Sequence, residues 1–273
     1  MPITAPITPL NQQSNGQCLL LIDGLNIVRR VYEAHPQPDS REKIEGVVRS
    51  SLGSFKRALT EIMPTHALAA FDHGGETWRH RLYPPYRANR KPMPQILRDA
   101  LPGLYQLLAD RLGLTVVSIP DVEAEDVIAT CFSRWASSKP DPVVVLSTDK
   151  DLAWLMTKGA HIRDHFTPEW RTAEWAERKF GVPPDLIHDF LALMGDDVDG
   201  VPGLEGVGKI TAAKWLLAYG NLDGVLENAD SITGKVGERL RQNMDIVRLS
   251  RQLVSFKTDV QCGLTWNTLR IAS

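Results

Sequence analysis

The chain has 273 residues, 43% hydrophobic and 23% charged, enough for one large domain and a small one with cores of their own. Its 31 basic and 33 acidic residues leave a net charge of −2, which excludes a general attraction to polyanions; any nucleic-acid role must rest on local charge separation. No stretch approaches the ~18 uninterrupted apolar residues of a membrane helix. Cys18, Cys131 and Cys262 fit neither a disulfide framework nor a zinc spacing, so a reducing, cytoplasmic setting without membrane contact is expected.

Residues 1–17, rich in Pro, Thr, Gln and Asn, lack the basic start and apolar core of a signal peptide and read as a flexible tail. Leu19 to Ile22 is the first predicted strand and runs into Asp23. Ala67 to Phe71 runs into Asp72, and Val143 to Thr148 into Asp149. Short aliphatic runs bounded by turn signals are buried strands of a parallel sheet, and in open α/β sheets the ligand crevice lies beyond the carboxyl ends of the strands. A single such Asp could merely cap the next helix; three of them point to carboxylates converging on a metal.

Between Arg79 and Arg98 lie Arg79, Arg81, Arg87, Arg90, Lys91 and Arg98 with no acid among them, interleaved with Tyr83 and Tyr86 and preceded by Trp78. Basic side chains neutralise phosphates and aromatic faces stack unpaired bases, the usual pairing in single-strand binders. Pro84, Pro85, Pro92 and Pro94 break any long helix here and leave one short helical segment expected between them. Helical spacing then runs from Ile96 to Leu112, Gly113 ends it, and Leu114 to Ile119 reads as a further strand.

Asp121, Glu123, Glu125 and Asp126 crowd the start of the next helix. A helix dipole favours an acid there by about 0.3–1 kcal/mol, too little to account for four that repel one another. Glu123 and Asp126 share a face at i,i+3 spacing and can converge on one cation; Glu125 points about 100° away. Asp149 and Asp151 face the same side if the backbone is extended, and Asp196 and Asp199 align if it is helical. If all nine acids (Asp23, Asp72, Glu123, Glu125, Asp126, Asp149, Asp151, Asp196 and Asp199) converge, most cannot stay ionised without cations. With no His or Cys at ligand spacing, the expected ions are Mg²⁺ or Mn²⁺, and two of them about 4 Å apart form the arrangement for phosphodiester hydrolysis.

Gly203, Gly206 and Gly208 open onto a helix that runs to Tyr219 and is stopped by Gly220, leaving backbone N–H groups free to meet a phosphate. Gly203 and Gly208-Lys209 have the spacing of a nucleotide-binding loop. Ile210, however, stands where Ser or Thr must hold Mg²⁺, and that reading is excluded.

In order, Ile22-Asp23-Gly24, Phe71-Asp72, Trp78-Arg79-His80 through Tyr86-Arg87-Ala88-Asn89-Arg90, Glu123-Ala124-Glu125-Asp126, Thr148-Asp149-Lys150-Asp151, Gly195-Asp196 with Asp199, and Pro202-Gly203 through Gly206-Val207-Gly208 resemble the 5′ nuclease (flap endonuclease) superfamily. That superfamily includes the nuclease domain of bacterial DNA polymerase I, phage 5′ exonucleases and the stand-alone exonuclease IX group. The resemblance spans about residues 18–262, and the Arg90 to Pro94 string is closest to exonuclease IX. It implies an α/β fold: a PIN-like parallel sheet flanked by helices over residues 18–175, with a gateway segment at 78–98. A small helix-three-turn-helix (helix-hairpin-helix-like) domain would follow at 176–262, and a tail at 263–273.

By the same resemblance, Asp72, Glu123, Glu125 and Asp126, with Asp23 nearby, would hold one metal, and Asp149, Asp151, Asp196 and Asp199 the other. Arg87, Arg90, Asp72 and Asp126 would be catalytic. DNA would meet Arg79, Arg81, Tyr86, Arg87, Arg90 and Lys91 at the gateway, and Gly206, Val207, Gly208, Lys209, Ile210 and Thr211 at the duplex grip. A K⁺ would sit on the carbonyls of Leu193, Met194, Pro202, Leu204 and Val207. The implied activity is two-metal hydrolysis of DNA with a 5′ flap or single-strand/duplex junction, by a monomer whose polymerase and ligase partners are separate proteins.

Three positions depart from the family pattern: Glu125 where Asp is usual, Arg87 where Lys is usual, and Gly200 where Asn is common. Asp196 and Asp199, which some exonuclease IX-type proteins lack, are both kept and imply a complete second site. The alternatives are a PIN-type ribonuclease, which would lack the duplex grip, and a catalytically weak structure-specific DNA-binding protein.

Overall fold

The structure, a computed structural model, describes residues 16–139, 141–167 and 169–271; the tail expected at residues 1–17 therefore lies almost wholly outside the described residues. β1 (Leu19–Asp23) is the spine of a six-stranded sheet, between β2 (His66–Ala70) and β4 (Val143–Leu146). β3 (Thr115–Val117) lies outside β2, while β5 (Ala160–Arg163) and then β6 (Trp170–Arg171) extend the other side; only β6 runs antiparallel. The third strand is shorter than the Leu114–Ile119 expectation, because only Leu68 to Ala70 offer it a register.

Side chains alternate across a strand, and β1 uses both faces. Leu20 and Ile22 pack with α1 (Gly24–Glu33), α2 (Arg41–Ile62) and α4 (Gln95–Leu112). Leu19 and Leu21 pack on the opposite side with α5 (Ala124–Ser138). All four are fully buried. α1 starts at once after Asp23, and it can do so because residue 24 lacks a side chain: a Cβ there would lie 2.3 Å from the Phe71 ring.

α3 (Trp78–Leu82) ends before Pro84, and the residues between Pro85 and Pro92 form turns without a helix, so the short helical segment lies ahead of the prolines rather than between them. Beyond the sheet, α6 (Ala173–Phe180), α7 (Ile187–Met194), α8 (Lys209–Tyr219), α9 (Leu222–Glu227), α10 (Gly234–Gln242) and α11 (Met244–Val254) build a second core, centred on Phe190, Leu216 and Leu253. A domain boundary at 175/176 would cut α6, whose Ala176 and Phe180 belong to that second core. The expected C-terminal tail is also corrected. Leu269 is buried, Trp266 meets Trp135 edge-on at 5.0 Å, and Leu269 O accepts the N–H of Ala67 at 2.8 Å. Apolar burial and a backbone donor of β2 thus pull residues 266–271 back onto the first domain.

Gly24→Ala is expected to lower stability by about 1–3 kcal/mol, the usual cost of forcing a methyl into a packed core. Equal urea midpoints for variant and parent would contradict this.

Candidate metal centre and nucleic-acid interface

Parallel register brings the tips of β1, β2 and β4 to one end of the sheet, and Asp23, Asp72, Glu125 and Asp149 line a single crevice there with Arg87 and Arg90. Each strand-tip carboxylate also accepts from backbone. Asp23 Oδ1 takes the N–H of Asn26 at 3.1 Å, Asp72 Oδ1 that of Ala124 at 2.8 Å, and Asp149 Oδ1 that of Asp151 at 2.9 Å. Capping and convergence therefore coexist, since the strand ends are also helix starts. Asn26 and Thr148 lock two of these tips together, with Nδ2 donating to Oγ1 at 2.6 Å. Burial, reinforced by Asp72, pushes Asp23 up to about 7.

Glu123 and Asp126 do converge on one cation, and it is the guanidinium of Arg79. Its Nη1 lies 3.0 Å from Glu123 Oε2 and 2.8 Å from Asp126 Oδ2, and its Nη2 donates to Asp126 Oδ1 at 2.9 Å. Asp126 also accepts from Trp78 Nε1 and from the N–H groups of Glu123 and Lys257. It is fully buried with both oxygens occupied, so in this structure Asp126 serves the Arg79 ion pair rather than facing the crevice. Arg79 is likewise no DNA-facing residue: its exposure is 1%, and its remaining donors go to the carbonyls of Leu253 and Ser255.

A second acid group forms where Asp151, Asp196 and Asp199 bring carboxylate oxygens within 4.8 Å of one another. The expected helix over Asp196–Asp199 is instead a turn closed by paired backbone bonds between Asp196 and Val201. Asp149 lines the strand-tip crevice and, through the Asp151 N–H that it accepts, also borders this group. Burial, then Asp149, raises Asp151 to about 8. Its Oδ1 is buried without a hydrogen-bond partner, and Lys150 Nζ stands 3.5 Å away. A buried carboxylate oxygen that accepts no hydrogen bond, grouped with two other carboxylates, is a donor set that fits a hard divalent cation. Lys150, 2.6 Å from Asp196 Oδ2, is a site residue that sequence reasoning passed over, although its place between Asp149 and Asp151 signals it.

Arg87 reaches into the acids. Its Nη1 is 2.9 Å from Glu123 Oε1, its Nη2 3.4 Å from Glu125 Oε1, and its Nε 3.0 Å from Asp199 Oδ1. Burial would raise Asp199, but Arg87, Arg90 and Lys150 together outweigh it and hold that carboxyl below its ordinary value. Burial, then Glu123, pushes Glu125 well up. Gly200 makes the approach possible: it has φ +67°, and a Cβ there would stand 3.0 Å from Pro85 O and 3.4 Å from Arg87 N. Positions 87, 125 and 200, the three departures from the family pattern, thus meet in one place.

The basic stretch divides. Arg90, Lys91 and Arg98 line a groove beside Asp72, together with Arg29 of α1, a cation that the sequence reading missed. Arg81 is exposed but paired with Asp121. Tyr86 is buried, with its hydroxyl donating to Glu123 Oε2 at 3.2 Å, so it offers no face for a base. At the expected duplex grip, Gly206, Gly208, Lys209 and Ile210 are exposed, Thr211 is half-buried, and Val207 is buried. The segments carrying the five expected K⁺ carbonyls lie side by side, with Leu204 N donating to Leu193 O at 2.8 Å.

A family profile described as 5′-3′ exonuclease, N-terminal resolvase-like domain, matches residues 18–181, and one described as 5′-3′ exonuclease, C-terminal SAM fold, matches residues 182–273. The chain belongs to the 5′-3′ exonuclease family. Nuclease action of the flap endonuclease class follows from that membership. A Shewanella loihica protein named Flap endonuclease Xni is 35% identical over 252 residues, covering 92% of this chain and 96% of the relative. DNA polymerase I of Mycobacterium tuberculosis is 35% identical over 266 residues, which are 93% of this chain but 28% of the polymerase. T5 5′-exonuclease with bound zinc shares the fold, with a TM-score of 0.77 at 19% identity over 89% of this chain and 90% of that one.

Two outcomes follow from the charge pattern. A carboxyl raised in the folded state binds extra protons there, so the stability it contributes is complete below its unfolded value of about 4 and is lost as pH rises through its folded value. In EDTA the urea midpoint should therefore fall between pH 5 and 8.5 through Asp23 and Asp151, and Asp151→Asn should flatten the fall; an unchanged slope would speak against it. Asp126→Asn, which breaks a buried ion pair, should cost about 3–5 kcal/mol. It should leave Mn²⁺ affinity within about twofold; a tenfold loss would restore Asp126 as a ligand.

Proposed function

We propose that this chain hydrolyses DNA at 5′ flaps and single-strand/duplex junctions with two divalent ions, Mg²⁺ or Mn²⁺. The observation that carries this reading is the pair of acid groups, one with a buried carboxylate oxygen that accepts no hydrogen bond among the described residues. Asp23, Asp72, Glu125 and Asp149 would hold one ion, and Asp151, Asp196 and Asp199 the other. When bound, such ions activate the attacking water and stabilise the leaving oxygen.

The chain's own residues supply the positioning. Arg90, Lys91, Arg98 and Arg29 form a cationic wall beside the acids on which a phosphate can rest, and Arg87 lies within side-chain reach of the same groove. Farther off, the N–H groups at the start of α8, with Lys209, meet a duplex phosphate at the positive end of the helix dipole. A cationic groove beside the acids and a second phosphate-binding element on the other domain suit a junction better than a uniform strand. K⁺ on the Leu193 to Val207 carbonyls, a monomeric state, and separate polymerase and ligase partners complete the proposal. The three free thiols support a cytoplasmic setting. A PIN-type ribonuclease does not account for the exposed glycine turn before α8.

Asp196→Ala should lower cleavage of a labelled 5′-flap DNA by about 100-fold or more, while affinity for the same DNA in Ca²⁺ changes less than about threefold. Full activity of the variant, or activity of the parent in EDTA, would refute the two-ion reading.

A further inference from the structure

Arg87 occupies an unusual position for a residue expected to contact substrate. Its side chain is only 10% exposed, and its guanidinium is spread over Glu123, Glu125 and Asp199. Nη2 also donates to Asp199 Oδ2 at 3.3 Å, so all three nitrogens are engaged. The backbone is committed as well: φ is +54°, a conformation that side-chain-bearing residues seldom adopt, and the Arg87 N–H donates to Asp199 O at 2.9 Å. A planar guanidinium has five N–H donors in a rigid fork, which lets Arg87 span three separated carboxylates at once, whereas the three donors of a lysine ammonium radiate from one nitrogen.

We infer that Arg87 is the resident countercation of the metal centre and orders its loading: divalent ions gain Glu125 and Asp199 only when Arg87 leaves them for a substrate phosphate. This rests on the two-ion reading above. A guanidinium and a divalent ion on the same carboxylate oxygens repel each other in a poorly solvated crevice, so their occupancies exclude one another. Departure is feasible because Glu123, the most buried of the three partners, keeps Arg79 and Tyr86 when Arg87 moves. The phosphate groove lined by Arg90 and Lys91 is also lined by Arg87 itself. Substrate and metal are then coupled through one side chain, and each favours the binding of the other.

The test is Mn²⁺ affinity, measured by electron paramagnetic resonance on the full chain for the parent, Arg87→Lys and Arg87→Ala. Without DNA, Arg87→Ala should bind Mn²⁺ at least tenfold more tightly than the parent, with Arg87→Lys between them. A short single-stranded oligonucleotide should tighten Mn²⁺ binding by the parent and leave that of Arg87→Ala unchanged. Equal affinities in all three proteins would overturn the inference while leaving the two-ion reading intact; no Mn²⁺ binding by any of them would overturn both. Should Arg87→Ala be destabilised yet still folded in EDTA, thermal melting decides: a larger Mn²⁺-induced rise in Tm than in the parent supports the inference, and an equal rise refutes it.

Discussion

Nine carboxylates at one end of a sheet repel one another, and the rest of this structure is arranged around that repulsion. Cations drawn from the chain itself offset it, with Arg90 adding to the three that lie nearest. Arg79 neutralises Glu123 and Asp126 in the interior, Arg87 bridges three acids at the crevice wall, and Lys150 sits against Asp151 and Asp196. The charge is not fully met. Asp23 and Asp151 remain raised to about 7 and 8, which marks where further positive charge is accommodated.

The internal cations also join the domains. Arg79 belongs to α3, yet its donors reach the carbonyls of Leu253 and Ser255 at the end of α11, and Asp126 accepts from Lys257. Glu123, which positions Arg87 and Tyr86, hangs on the same guanidinium. The residues flanking the phosphate groove and the helix that closes the second domain thus share one buried ion-pair hub. Because both partners are desolvated, removing either leaves an uncompensated charge, so the hub fixes geometry more than it adds stability.

The glycines that matter are places of close approach. Gly24 lets α1 start directly at the tip of β1, which sets Asp23 against the Phe71–Asp72 strand end. Gly200 lets the Asp199 turn touch the backbone of Pro85 and Arg87. In both cases a missing methyl brings an acid to its partner.

By itself the sequence determined the strands that lead to Asp23, Asp72 and Asp149, though β4 stops at Leu146, and the glycine turn before α8. These are local consequences of hydrophobic runs, breakers and caps, which need no distant partner to be read. It could not determine which cation an acid meets. Glu123 and Asp126 carry the i,i+3 spacing of a ligand pair, but the cation between them comes from Arg79, 44 residues from Glu123 in the chain. Arg79 and Tyr86 look like surface residues in a basic, aromatic run and turn inward because tertiary packing supplies their partners. The sorting of the nine acids into a strand-tip crevice and a second trio was likewise decided only when the sheet register and the Asp196–Val201 turn set the distances.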